Sequence, residues 1–202
     1  MSPDVANGDR DLRRLIFASR SYTPIPFLIV MVLFARPTPV SLGVGFAILF
    51  LGELVRFWGV SIVGAETRTT GTVGGTYLIT TGPFALVRNP LYLGNMLLYA
   101  GVGVMSMALF PWLVIGAIIF FYVQYYLIVT REEEYLSERF GTEFEDYRQS
   151  VRRFIPRLTP YQSSRPSPKS ASIAEGVSSE RRTLQAIGLV TATLLVIFFL
   201  RR

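Results

Sequence analysis

From Val40 to Gly64 the chain is apolar along almost its whole length, and long enough to cross a bilayer as one helix. Such a segment must satisfy its backbone polar groups without water, which leaves a helix or a closed barrel. Further runs, Tyr22 to Ala35, Pro90 to about Phe110, Trp112 to Val129 and Leu184 to Leu200, are continuously apolar rather than alternating. Continuous runs of that length read as helices. The expected fold is therefore all-α, a polytopic integral membrane bundle of about five membrane helices. A composition that is 50% hydrophobic and only 17% charged agrees.

The spacing divides the chain into four parts. Residues 1–21 form a basic N-terminal segment with Arg10, Arg13, Arg14 and Arg20. No small-residue cleavage site follows the first apolar run, so it reads as an uncleaved, rather short first membrane helix. Residues 22–158 form the membrane domain. Residues 159–183, Ser- and Pro-rich, read as an unstructured linker, and 184–202 as an appended hydrophobic anchor. Arg residues flank the apolar runs, a topology signal. That rule puts 1–21, 65–89 and 131–183 on the cytoplasmic side, with the tips near Arg36–Thr38 and Pro111 outside.

The net charge of +6 belongs to this membrane pattern, so nucleic acid is not an expected partner; the bilayer and a hydrophobic or lipid acceptor are. The chain has no Cys and no His. Disulfides, thiolate nucleophiles and imidazole bases are thereby excluded, and no metal is expected. Proton transfer is left to Glu, Asp, Tyr or the one Lys.

Two polar features and one proline turn interrupt the apolar pattern. Glu53 and Arg56 lie three apart within a membrane helix, on one face. They read as a self-neutralising pair that fixes packing, or as the lining of a polar cavity. Thr76 to Asn95 is a polar turn in which Asn89 is a good N-cap and Pro90 suits the first helical position. Its free N–H groups and helix dipole would seat an anion. Pro111 makes a tight hairpin of the two runs it separates, with Gly101 and Gly103 read as packing glycines.

From Arg131 to Pro156 apolar residues recur at steps of three and four. Two short cytoplasmic amphipathic helices are expected, the first capped by Gly141 and the second opened by a Thr142–Glu145 capping box. The hairpin brings Arg88-Asn89-Pro90-Leu91-Tyr92 beside Arg131-Glu132-Glu133-Glu134. Together they offer cationic and N–H donors, carboxylates, and the aromatic faces of Phe84 and Tyr92. A ligand bearing a carboxylate, a ribose and a sulfonium matches that set. The acidic run is equally readable as a charged cap at the membrane edge.

Gly82-Pro83-Phe84, then Arg88-Asn89-Pro90-Leu91-Tyr92-Leu93-Gly94, then Glu132-Glu133 with Leu136, Phe140-Gly141, Tyr147, Val151 and Ile155-Pro156 resemble the isoprenylcysteine carboxyl methyltransferase and phospholipid methyltransferase superfamily. The resemblance covers roughly residues 40–158 and implies a membrane methyltransferase using S-adenosylmethionine. It places cofactor contacts on Thr76, Tyr77, Leu78, Ile79, Phe84, Asn89, Pro90, Leu91, Tyr92 and Glu133. Arg88, Glu132 and Glu133 become the candidate catalytic residues, with Arg88 and Arg131 candidates for holding the acceptor.

This chain departs from the carboxyl methyltransferases at several of these positions. Asn89 and Thr76 each stand where they have His, and Phe84 where they have Tyr. The Arg that would hold a prenylcysteine carboxylate falls on Val129, with Arg131 two residues further on. The acceptor classes that remain are an isoprenylcysteine-type carboxylate, a phospholipid amine or a hydrophobic thiol. A nicotinamide-dependent reductase of the sterol-reductase type and a non-catalytic scaffold of the same fold are the alternatives.

Overall fold

The computed structural model describes residues 22–63, 77–163 and 172–201. Thr76 lies outside the described residues. Among the described residues six α-helices carry the fold: α1 Pro24–Leu33, α2 Pro39–Val63, α3 Pro90–Ser106, α4 Trp112–Phe140, α5 Thr142–Ser150 and α6 Ile173–Leu200. A 3₁₀ turn, Gly82–Ala85, precedes α3, and the described residues contain no strand. Helices α2, α4 and α6 are long and apolar enough to cross a membrane. The protein is an integral membrane helix bundle. Helix α3, with 17 residues, is about 25 Å long, and α1 has only 10 residues.

The closest helix pair is α2 with α3, and its contact is made by glycine. A Cβ on Gly101 would stand 2.6 Å from the Leu49 nitrogen and 2.7 Å from the Gly45 carbonyl oxygen. Gly52 and Gly94 face each other in the same way, one bringing the other's carbonyl within 3 Å of where a Cβ would be. Backbones this close cannot yield to a methyl group without the helices parting. Gly101→Ala is thus expected to destabilise the fold by about 1–3 kcal/mol, read as a lower unfolding midpoint in detergent.

Around this pair, Met31, Leu49, Leu98, Met105, Phe121, Tyr125, Ile128 and Leu194 form one buried core. Leu194 belongs to α6, which runs antiparallel to α2. Near one end Gly176 packs on Phe57 and Ser61 of α2. At the other the Arg201 guanidinium donates to the Ala35 carbonyl, just after α1. The sequence reading needs correction here. Residues from Ile173 onward are helical, not an unstructured linker, and α6 is part of the bundle rather than an appended anchor. Ser172 caps it by accepting from the Glu175 N–H.

Three local expectations also change. Helix α3 ends at Ser106, not near Phe110, and five residues connect it to α4. Ser106 closes that end by donating to the Gly103 carbonyl and accepting from the Ala108 N–H. Residues 131–140 are no separate amphipathic helix; α4 runs unbroken to Phe140, lengthening the hairpin's second arm beyond the apolar stretch. Gly141 does end it, with φ of 54°. That same glycine is the N-cap of α5, accepting from the Glu145 N–H through its carbonyl, so the expected Thr142–Glu145 capping box does not form.

Candidate functional site

The site is built where residues 77–89, the start of α3, the end of α4 and the segment after α5 converge. Backbone hydrogen bonds fix the arrangement. Arg88 N donates to the Arg152 carbonyl at 2.9 Å, Asn89 N to the Arg153 carbonyl at 3.2 Å, and Arg157 N to the Leu86 carbonyl at 2.9 Å. A second small core, Leu78 with Phe144, Tyr147 and Val151, ties α5 to the same loop. The Tyr147 hydroxyl donates to the Phe84 carbonyl at 2.7 Å. Burial pushes the Tyr147 phenol above its ordinary pKa, so it remains a donor at any physiological pH.

Glu133 is the centre of the polar cluster. It is 6% exposed and stands between two guanidinium groups. Arg153 donates to it from Nη2 at 2.7 Å and from Nε at 3.1 Å to each oxygen. Arg88 Nη1 is 3.3 Å from its other oxygen, Oε1. Burial lowers the pKa of Arg88, a loss that the charge of Glu133 opposes. Arg153 also loses hydration, yet its hydrogen bonds to Glu133 and that residue's charge raise its pKa. The Arg153 guanidinium also lies 4.6 Å from the Tyr126 ring centroid and reaches the Thr130 hydroxyl at 3.3 Å.

Beside this cluster the Tyr92 hydroxyl donates to Glu132 Oε1 at 2.6 Å, and the Tyr92 ring stacks on Tyr125 at 4.7 Å. Helices α3 and α4 thus meet through Tyr92–Glu132 and Arg88–Glu133, the juxtaposition expected from the hairpin. Among the described residues, buried Arg88 Nε and Nη1 have no hydrogen-bond acceptor, Nη1 meeting Glu133 only as an ion pair, and the buried Thr80 hydroxyl has no hydrogen-bond partner. Asn89 occupies the N-cap position of α3, but its side chain makes no cap. Its amide donates to the Arg153 carbonyl instead, at 3.3 Å, so no side chain from Asn89 covers the first-turn N–H groups.

Other expected residues fare differently. Pro90 and Leu78 are buried in packing, and Leu91 points at Gly59 of α2, so these three can offer little beyond backbone. Tyr77 is exposed and Ile79 half-buried. Arg131 is exposed on α4 and is not brought to the cluster, while Val129, two residues earlier, is fully buried. A shift of two on a helix has moved the cation to the opposite face. The residue that the sequence reading missed is Arg153. Its only local signal was Arg152-Arg153 ahead of Ile155-Pro156, which says nothing about a partner twenty residues away.

A second buried polar cluster lies among α2, α3 and α6. Arg56 is held by Glu180 of α6, with Nη2 2.9 Å from both carboxylate oxygens, and donates from Nη1 to the Asn95 side chain. Glu53 is 3.8 Å from Arg56 Nε, too long for a hydrogen bond. The expected Glu53–Arg56 ion pair is present, but Glu180, from the segment read as linker, is the closer partner of Arg56.

The glycine-packed α2–α3 pair, with an arginine-and-carboxylate cluster where the end of α4 meets the proline-opened start of α3, is the frame in which the family match is read. The sequence model of the phospholipid methyltransferase family matches residues 40–143, and the chain belongs to that family. Two curated relatives are similar. One is the cobalt-zinc-cadmium resistance protein CzcN of Cupriavidus metallidurans, 29% identical over 124 residues, covering 61% of this chain and 53% of the relative. The other is the nickel-cobalt-cadmium resistance protein NccN of Alcaligenes xylosoxydans xylosoxydans, 35% identical over 89 residues, covering 44% and 40%. The chain spans about half the length, or less, of these relatives.

Proposed function

We propose that the protein is an S-adenosylmethionine-dependent membrane methyltransferase acting on a hydrophobic or lipid acceptor. One observation carries the reading beyond the family: the start of α3 faces Glu132 and Glu133 with Arg88 and Tyr92 already engaged between them. The residues fit the cofactor's chemistry. The Nε–H of Arg88, which has no acceptor among the described residues, and the first-turn N–H groups of α3 suit its carboxylate. Glu132 and Glu133 suit ribose hydroxyls and a cationic centre, and Tyr92 and Phe84 offer ring faces. When bound, the cofactor supplies a methyl group on a positively charged sulfur.

The chain's own contribution is alignment and exclusion of water. Arg153, by occupying Glu133, fixes the carboxylate's orientation. Tyr92, held by Glu132 and backed by Tyr125, presents a rigid aromatic wall. Val129 leaves the position of the prenylcysteine-binding Arg without charge, which disfavours an isoprenylcysteine carboxylate among the acceptors. The family match favours methyl transfer over a nicotinamide-dependent reductase. We place the site on the cytoplasmic side, from the arginine distribution.

The relatives' names concern metal resistance. Among the described residues no group of three or more His, Cys, Asp or Glu is arranged to hold a metal ion. We read any part in such resistance as modification of a membrane component rather than binding of the ion.

The test is calorimetric titration of S-adenosylmethionine into the protein in lipid nanodiscs, beside Arg88→Gln, which leaves Glu133 paired with Arg153. Saturable binding, weakened about 10- to 100-fold by the substitution, is expected from loss of a charged hydrogen bond. No binding by the folded wild-type protein would remove the methyltransferase reading.

A further inference from the structure

We infer that residues 148–158 are a docking strip for anionic phospholipid headgroups, and that lipid held there braces the segment delivering Arg153 to Glu133. Such a strip requires only the membrane fold, whichever reaction the site performs. The stretch, Arg-Gln-Ser-Val-Arg-Arg-Phe-Ile-Pro-Arg-Leu, contains four arginines and no acidic residue. The next carboxylate along the chain is Glu175.

Two ring contacts set the depth of the strip. The Phe154 ring lies 5.6 Å from that of Tyr122 on α4, and the Arg153 guanidinium 4.6 Å from that of Tyr126. Tyr122 precedes Val129, where the apolar run ends, by seven residues, about 10 Å along the helix. The strip therefore runs beside the apolar end of α4, at the edge of the bilayer. Tyr122 and Tyr126 are both exposed, and tyrosine rings favour the headgroup level.

What the strip exposes matches a lipid surface. Ile155 is 60% and Leu158 100% exposed, although backbone hydrogen bonds tie their segment to the loop before α3. Apolar side chains held outward at this depth meet acyl chains rather than water. Among the described residues the exposed Arg152 side chain has no hydrogen bond or ion pair. Within the same residues Arg157 donates only to neutral acceptors, the Ser150 carbonyl and the Thr159 hydroxyl. Arg148 meets Glu145 at 3.7 Å, with both side chains exposed. Guanidinium groups flanking apolar residues at a bilayer edge suit the phosphate of a lipid with net negative charge.

The strip and the site share one backbone. The carbonyls of Arg152 and Arg153 accept from the N–H groups of Arg88 and Asn89, while the Arg153 side chain holds Glu133. An anionic headgroup on Arg152 and Arg157 pins the segment on both sides of Arg153. A zwitterionic lipid offers the same apolar contacts without the net charge.

The experiment places the protein in nanodiscs of phosphatidylcholine, alone or with an equal share of phosphatidylglycerol. Spin-labelled forms of the two lipids report which one the protein holds, and amide hydrogen exchange reports the strip. Wild type is compared with Arg152→Gln, Arg152→Lys and Arg139→Gln. Arg139 is an exposed cation on α4 about 15 Å beyond the end of the apolar run. Wild type should prefer the anionic lipid, and its 152–157 amides should exchange about fivefold more slowly when that lipid is present. Arg152→Gln should cut the preference about fivefold, the factor for one basic contact at an anionic surface, and Arg152→Lys should keep it. Arg139→Gln should leave it nearly unchanged, since salt screens a charge at that distance. Equal association of both lipids with wild type overturns the strip and leaves its surface to a protein partner. An equal loss in Arg139→Gln overturns it in favour of general charge. A lipid preference with unchanged exchange overturns the bracing of Arg153.

Discussion

Glu133→Gln is expected to lower the stability of the folded protein by about 3–5 kcal/mol, read from the unfolding midpoint in detergent or nanodiscs. The substitution keeps the shape of the side chain and one acceptor, so packing is not what is lost. It removes the charge that Arg153 and Arg88 share, and both side chains are largely buried, at 24% and 10% exposed. Two guanidinium groups left facing a neutral amide repel each other where water cannot screen them. Arg88→Gln should cost much less, because Arg153 continues to satisfy Glu133 through three hydrogen bonds. If the two variants unfold together, losing Arg88 costs as much as losing the whole shared charge, and the description of Arg153 as the main partner is wrong.

The consequence for function follows from the same asymmetry. Arg153 reaches Glu133 only because residues 152–157 run along the loop before α3, paired to it through Arg88, Asn89 and Leu86. The segment after α5 is thus a structural part of the site. Losing Glu133 would loosen that segment as well as the ion pair. A fall in cofactor binding in Glu133→Gln alone would therefore not separate contact from collapse, which is why Arg88→Gln is the cleaner probe of binding.

What the sequence made legible was whatever is encoded locally. Pro90 opening a helix, Gly141 ending one and the apolar length of α2 each depend on a few neighbouring residues, and each stands in the structure as expected. The hairpin that sets Arg88 and Tyr92 against Glu132 and Glu133 was also readable, because two apolar runs separated only by Pro111 must turn back on each other as antiparallel neighbours. Partners chosen by tertiary contact were not. Asn89 has the chemistry of a cap, yet its side chain turns to the Arg153 carbonyl once the 152–157 segment lies alongside. Helix α6 was hidden for a related reason. Its first turns, Ile-Ala-Glu-Gly-Val-Ser-Ser-Glu, show no apolar stripe, because the face that packs on α2 is made of small residues, Gly176 and Ser179, with Glu180. Small residues at a helix interface look like linker composition until the partner helix is known.

Glu180 gives the second large expected effect, and it decides what the α2–α3–α6 cluster is for. Glu180→Ala leaves the buried guanidinium of Arg56 with Asn95 and a Glu53 carboxylate 3.8 Å away. A loss of about 3–5 kcal/mol is the ordinary result of stripping one partner from a buried pair, measured as a lower unfolding midpoint. Here Glu53 is close enough to move in, so the loss should sit at the lower end of that range. It should grow when Glu53→Gln is added, with the two substitutions non-additive because they share Arg56. Replacing Arg56 and Glu180 together by Leu removes both charges and should be milder than Glu180→Ala, since an apolar pair of similar size is often neutral in such a place. That double variant would hold α6 on α2 while removing the ion pair. A methyltransferase that still binds its cofactor in this form uses the pair for assembly. One that folds but no longer binds depends on the polar cluster itself, through Asn95, which Arg56 contacts three residues along α3 from Tyr92.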